Sequence, residues 1–329
     1  MKILQYNQTD EFTKSERQSL AALFMTLILA CSYIFGNTTE AFVEQASFSE
    51  NQDLLSQMTD NKIDEFFEIL DLKAASVLII NSDKNQKIYG KDISNVMPLA
   101  SLVKIMTTIV AMENTDQSDV IEIPKEALSL AGDNGLLADE KWGRDDFLRF
   151  MLITSSNDAT RALSMHIGKK MGLNEEDSVK MVVELMNKKA TDLGLTHTTF
   201  LNESGLDMPD GRNGGYSNSE EIVSLFDYAI KTYPDIFSST SFGSKTFISA
   251  SNTEHNALNT NPNVGLVAGI SASKTGFTNI SGGNLIVSFK TADNQTIIAN
   301  VLGSTFSERF TDIEKLSSTT LKIINEVQL

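Results

Sequence analysis

Ser101 and Lys104 stand three positions apart in Ser101-Leu102-Val103-Lys104. On a helix that spacing puts both side chains on one face, so a hydroxyl and an amine can meet. A serine is a weak nucleophile until a base takes its proton, and partial burial can lower a lysine's pKa enough for it to serve. The chemistry on offer is attack on an acyl group by an activated serine. Ser155-Ser156-Asn157 adds a second hydroxyl, suited to relaying a proton, and an amide able to hydrogen-bond substrate or the lysine. Lys274-Thr275-Gly276 adds positive charge beside an anionic group, and its glycine lets another backbone approach closely. Each motif is short, and each has a plain structural reading: a helix-start serine, a capping turn, an edge-strand lysine. The S-x-x-K spacing recurs at Ser271–Lys274 and S-x-N recurs at Ser49–Asn51. Only the first S-x-x-K opens a helical segment with an apolar face, formed by Val103, Met106, Ile109 and Val110.

The elements that must position these residues follow from the hydrophobic pattern. Ala74–Asn81 is a β-branched apolar run, and a polar turn over Ser82–Gln86 leads to a second short strand at Lys87–Tyr89, a hairpin signature. A helix is expected over Ser101–Asn114, and helical periodicity dominates Asp145–Leu193. Ser217-Asn218-Ser219-Glu220 fits a capping box opening a helix through Ala229. Strands are expected at Lys245–Ser249, Gly269–Thr275, Asn284–Lys290 and Thr296–Val301, then a last helix over Ser307–Val327. Strands first, helices in the middle, strands last and a closing helix predict one α+β domain. Both ends of its chain share an antiparallel sheet flanked by helices, and a helical lobe is inserted between them.

With 329 residues and 41% hydrophobic content the chain can bury a sizeable core. Its net charge of −16 argues against nucleic acid as a partner, because a phosphate backbone needs a basic surface. One cysteine, Cys31, allows no internal disulfide, and three histidines without ligand spacing argue against a metal site; no cofactor is expected. The uncharged apolar run Ser19–Gly36 is just long enough to span a bilayer. Lys14 and Arg17 precede it and Glu40, Glu44 and Glu50 follow, which places the N-terminus in the cytoplasm and the bulk of the chain outside. Cleavage of this run as a signal near Thr39-Glu40-Ala41, or lipidation at Cys31, are rival readings. The expected organisation is a cytoplasmic tail (1–18), an anchor or signal segment (19–36), a spacer (37–70) and a catalytic domain (71–329).

S-x-x-K, S-x-N and K-T-G in that order resemble the motif set of penicillin-binding proteins and class A β-lactamases. From about Ala74 to Lys315 the chain is similar to the low-molecular-mass D-alanyl-D-alanine carboxypeptidases, the S11 serine peptidases. Phe200–Asp207 resembles their F-x-N-x-x-G-L-D segment and Tyr216-Ser217 their Y-S-T helix start. Leu302–Phe306 with Arg309 resembles their G-G-x-T-F…R segment. The resemblance implies a β-lactamase/transpeptidase-like fold and removal of the terminal D-alanine from peptidoglycan stem peptides through an acyl-enzyme, with β-lactams as inhibitors. It makes Ser101 the nucleophile, Lys104 its base and Ser155 a proton relay. Asn157, Lys274, Thr275, Gly276 and Phe277 bind substrate, with the N–H groups of Ser101 and Phe277 forming an oxyanion hole. Arg309 then helps hold the substrate's terminal carboxylate; its plain reading is a surface ion pair with Glu308 or Asp312. Leu99 stands where the family usually has proline, and Ser156 where it has a smaller residue. The family's β-rich C-terminal domain and amphipathic tail are not seen, which fits anchoring by the N-terminal helix. A β-lactamase would need an E-x-x-L-N loop, and none lies between Ser155 and Lys274. A D,D-endopeptidase, or a sensor that acylates without turnover, would share the motifs.

Overall fold

The computed structural model describes residues 62–130, 132 and 135–327. Ser19–Gly36 and the second S-x-N at Ser49–Asn51 lie outside the described residues. Among those described, no helix is long and apolar enough to cross a membrane.

Strand β1 (Ser76–Asn81) and β2 (Gln86–Lys91) form the expected hairpin. After the short strands β3 (Met97–Pro98), β4 (Val120–Glu122), β5 (Lys141–Gly143), β6 (Thr199–Phe200) and β7 (Gly215–Ser217) comes a hairpin of β8 (Ser244–Ile248) and β9 (Glu254–Leu258). The chain closes with β10 (Ile270–Thr278), β11 (Gly282–Lys290) and β12 (Thr296–Ser304). The main sheet is antiparallel with order β10-β11-β12-β1-β2, so the two ends of the domain share it, as the alternation of elements predicts. β10 is left at an edge, with one side open.

Side chains alternate between the faces of this sheet, as the two-residue period of a strand requires. Leu285, Val287, Phe289, Ile297, Ala299 and Val301 pack under the closing helix Glu308–Val327. Leu78, Ile286, Ile298 and Leu302 face the opposite core, which contains the helix Val103–Asn114. That helix is buried all round from Val103 to Ala111, including Lys104, Thr107 and Thr108, so it forms the axis of the molecule rather than one amphipathic face. The helical lobe consists of Arg144–Thr154, Asn157–Lys170 and Glu175–Asp192.

Three local expectations are corrected. The compact unit begins at Ile63, not at 71: a helix over 62–68 buries Ile63 and Phe67, and Phe67 stacks on Tyr89 with ring centroids 4.6 Å apart. Ile63, Phe66, Phe67 and Leu70 stand at helical spacing, and all four belong to or pack against the core beneath the sheet. The helix Ser219–Thr232 is capped by Asn218, whose side chain accepts from the Glu221 N–H, so the expected box is displaced by one residue. Strand β9 went unforeseen because its inward residues are His255 and Ala257, which carry no strand signal.

Candidate active site

Ser101 and Lys104 sit where a short 3₁₀ turn, Ala100–Leu102, runs into the buried helix. Ala100, immediately before the serine, has φ 48°, a left-handed conformation costly for a residue with a Cβ. It is held there by its surroundings. Its N–H donates to Asn213 Oδ1 at 3.1 Å, and a Cβ on Gly205 would lie 1.9 Å from the Ala100 carbonyl oxygen. Gly276 permits a second close approach: a Cβ there would lie 2.8 Å from the Leu99 carbonyl oxygen and 3.3 Å from the Ser101 nitrogen. The edge strand β10 can therefore lie directly against the nucleophile turn.

Lys104 Nζ lies 3.0 Å from Ser101 Oγ, 2.8 Å from Asn157 Oδ1 and 2.7 Å from the Ser204 carbonyl oxygen. Burial lowers its pKa to about 7, partly opposed by the charge of Glu203. The partner set decides what the neutral amine does. Asn157 Oδ1 and Ser204 O can only accept, so they take the two remaining N–H bonds. The lone pair then falls toward Ser101 Oγ, the one partner that can donate. A lysine that is substantially deprotonated at neutral pH and aims its lone pair at a hydroxyl is an equipped general base.

Ser155 ends the helix Arg144–Thr154 in a left-handed conformation (φ 57°, ψ 31°), and Ser156 caps the next helix by accepting the Ala159 N–H at 3.1 Å. The capping-turn reading of this motif is what the structure shows. The sharp reversal brings Ser155 Oγ within 2.7 Å of Lys274 Nζ and Asn157 into contact with Lys104. Lys274 also donates to the Thr275 carbonyl at 3.0 Å. Burial, with Lys104 and Arg309 nearby, holds its pKa well below the ordinary lysine range. The Thr275 hydroxyl pairs with that of Thr260 at 2.6 Å. Phe277, part-exposed near the end of β10, meets Phe306 edge to face with centroids 4.9 Å apart.

Arg309 is buried, at 4% exposure. Its Nη1 donates to the Gly276 carbonyl at 3.3 Å, Nε has no hydrogen-bond partner among the described residues, and the guanidinium lies among Phe277, Phe306 and Phe310. The ion-pair reading is not what forms. Asp312 is occupied by the Lys73 and Ala74 N–H groups and the Ser304 hydroxyl, and Arg309 has no acidic partner among the described residues. Burial lowers its pKa to about 10, leaving it a cation in want of an anion.

The structure thus gathers Ser101, Lys104, Ser155, Asn157, Lys274, Thr275 and Gly276 into one site, with Arg309 reaching the Gly276 carbonyl from the first turn of the closing helix. The second S-x-x-K is disposed of as well: it lies on strand β10, where Ser271 Oγ meets Ser288 while Lys274 Nζ is taken by Ser155 and the Thr275 carbonyl. Four contributors escaped the sequence reading. They are Ser204, whose carbonyl holds Lys104; Glu203 beside it; Thr260; and Asn213. The fully buried Asn213 also donates to Gly205 O, Asp207 Oδ1 and Thr278 Oγ1. Backbone acceptors and single polar side chains leave no spacing to find.

A serine aimed at by a neutral-capable lysine, with a lysine–serine pair across the cleft on an edge strand, defines a serine hydrolase of the penicillin-binding, transpeptidase-like type. Residues 61–305 match the Peptidase S11 family, described as D-alanyl-D-alanine carboxypeptidase, and the chain belongs to that family. D-alanyl-D-alanine carboxypeptidase DacF of Bacillus subtilis is 31% identical over 253 residues, covering 74% of this chain and 61% of the relative. The chain thus spans about three-fifths of that relative's length. A D-alanyl-D-alanine endopeptidase of Escherichia coli is 26% identical, covering 75% of this chain and 76% of the relative. Penicillin-binding protein D2 of Listeria monocytogenes, solved with ampicillin bound, superposes with a TM-score of 0.64 at 26% identity, over 76% of this chain and 98% of that one.

Proposed function

We propose that this protein is a serine-type D-alanyl-D-alanine carboxypeptidase that shortens peptidoglycan stem peptides and is inhibited by β-lactams. The observation that carries the reading is the three-partner cage around Lys104, which leaves its lone pair for Ser101. In the first step Ser101 Oγ bonds to the carbonyl carbon of the penultimate D-alanine as its proton passes to Lys104. Ser155, bonded to Lys274, delivers a proton to the leaving nitrogen as the peptide C–N bond breaks and free D-alanine departs, and the proton held by Lys104 replaces it, so the amine is neutral again. Water then attacks the serine ester, Lys104 takes its proton and passes it to Ser101 Oγ as the ester bond breaks, and the free acid departs with Ser101 regenerated. Arg309, a buried cation with no acidic partner among the described residues, and the Thr275 hydroxyl support recognition of a free C-terminal carboxylate, and this favours a carboxypeptidase over an endopeptidase.

The uncharged run Ser19–Gly36, with basic residues before it and acidic residues after, supports a single-pass membrane anchor carrying the catalytic domain on the extracytoplasmic side. Mass spectrometry of the products formed from a pentapeptide ending in D-Ala-D-Ala tests the enzymatic reading. Release of one D-alanine is expected. Cleavage only of cross-linked dimers would assign an endopeptidase, and a stable acyl-enzyme without product would assign a sensor.

A further inference from the structure

Glu203 is a fully buried acid that the reaction above does not use. Its Oε1 accepts from Arg161 Nε at 2.6 Å, while Oε2 has no hydrogen-bond partner among the described residues. Arg161 lies one turn after Asn157 on the same helix and is shared with Glu175, 3.6 Å from its Nη1, so it engages Glu203 through one atom only. A carboxylate met by one shared cation keeps much of its field. The backbone fixes the acid beside the base. The Glu203 carbonyl accepts from Thr107 and the next carbonyl, Ser204, accepts from Lys104, so this one loop docks along the nucleophile helix at both positions.

The charged groups around Lys104 are few. Lys274 faces it from β10 and Glu203 from the 202–207 loop; Ser101 and Asn157 are neutral. Burial pushes the Lys104 amine down, and without a negative charge nearby it would be a weaker base toward the Ser101 hydroxyl. We propose that Glu203 is a positioning residue acting through Lys104, its buried negative charge setting the pH at which the amine becomes a base, with Arg161 trimming that charge. This rests on the serine–lysine reading given above and adds a tuning pair, Arg161 and Glu203, behind the general base.

The test is the pH dependence of acylation by a fluorescent penicillin, measured in single turnover. Glu203→Gln keeps the shape and removes the charge, so the acid limb should move to lower pH by roughly one unit, the effect of one charge within about 10 Å at an intermediate dielectric. Glu203→Asp keeps the charge, so its limb should stay near the wild-type position. Arg161→Met should move the limb the other way. A limb unmoved in Glu203→Gln, or moved equally in Glu203→Gln and Glu203→Asp, overturns the proposal. If Glu203→Gln does not fold, Arg161→Met decides alone: a limb that stays put or falls overturns it. Absence of any acylation in the wild-type protein would instead count against the serine–lysine reading.

Discussion

Replacing Arg309 by alanine separates the carboxypeptidase reading from a merely structural arginine. The guanidinium is almost fully buried, has no acidic partner among the described residues, and remains protonated at neutral pH with a pKa of about 10. Its hydrogen bond to the Gly276 carbonyl is long at 3.3 Å. Desolvating a cation is costly, and here the protein offers only three aromatic rings in return, each worth about 0.5–2 kcal/mol. Truncation therefore removes a cost along with a contact, and stability should change by less than about 2 kcal/mol. Catalysis should respond more strongly. A charge-assisted contact to a carboxylate is worth about 2–4 kcal/mol in a partly dry site, which corresponds to roughly 30- to 800-fold in kcat/KM. The assay compares a D-Ala-D-Ala peptide with its C-terminal amide. The variant should lose the full factor on the free acid and less than about threefold on the amide. Arg309→Lys, which retains the charge and loses the planar fork, should fall between the two. Equal losses on both substrates, or no loss on either, would refute the assignment.

Penicillin should label Ser101, read by tryptic mapping of the adduct; a label on Ser155 or Ser271 would overturn the assignment of the nucleophile. Lys104→Met should abolish acylation yet stabilise the fold. The lysine's pKa is depressed on folding to about 7, so the unfolded chain binds more protons between about pH 7 and pH 10.5, and the cost of burial is complete at pH 6 and fades as pH rises through that window. That cost is at most about 4–5 kcal/mol, and the unmatched acceptors of Asn157 and Ser204 return about 1–3 of it, so a net gain of about 2 kcal/mol is expected from denaturation at pH 6, shrinking toward pH 10. Gly205→Ala, at φ +85° with its Cβ driven into the Ala100 carbonyl, should slow acylation by more than tenfold even in the fraction that folds, because it displaces the turn that carries Ser101. The full-length protein should remain with membranes through a carbonate wash; a soluble product beginning near Phe42 would show that Ser19–Gly36 is removed.

The side chains that meet in the site were legible in the sequence. Ser101 with Lys104, Ser155 with Asn157, and Lys274 with Thr275 and Gly276 are side chains at fixed short spacings, and short spacing survives in one dimension because helix and turn geometry is local. The alternation of elements, and with it the antiparallel sheet joining the chain's two ends, was legible for a similar reason: period two and period 3.6 are written in the apolar residues. What one dimension could not carry was the environment of each group. That Lys104 is neutral-capable depends on burial from all sides and on two acceptors 53 and 100 positions away, Asn157 and Ser204, brought together by the lobe and the 202–207 loop. That Arg309 faces Gly276 and not Asp312 depends on Asp312 being taken by the backbone of residues 73–74 across the domain. The left-handed turn at Ala100 is permitted by Gly205, Gly276 and Asn213, which approach it from three separate segments. Charge state, strain and partner choice are properties of a filled volume, and only packing in three dimensions decides them.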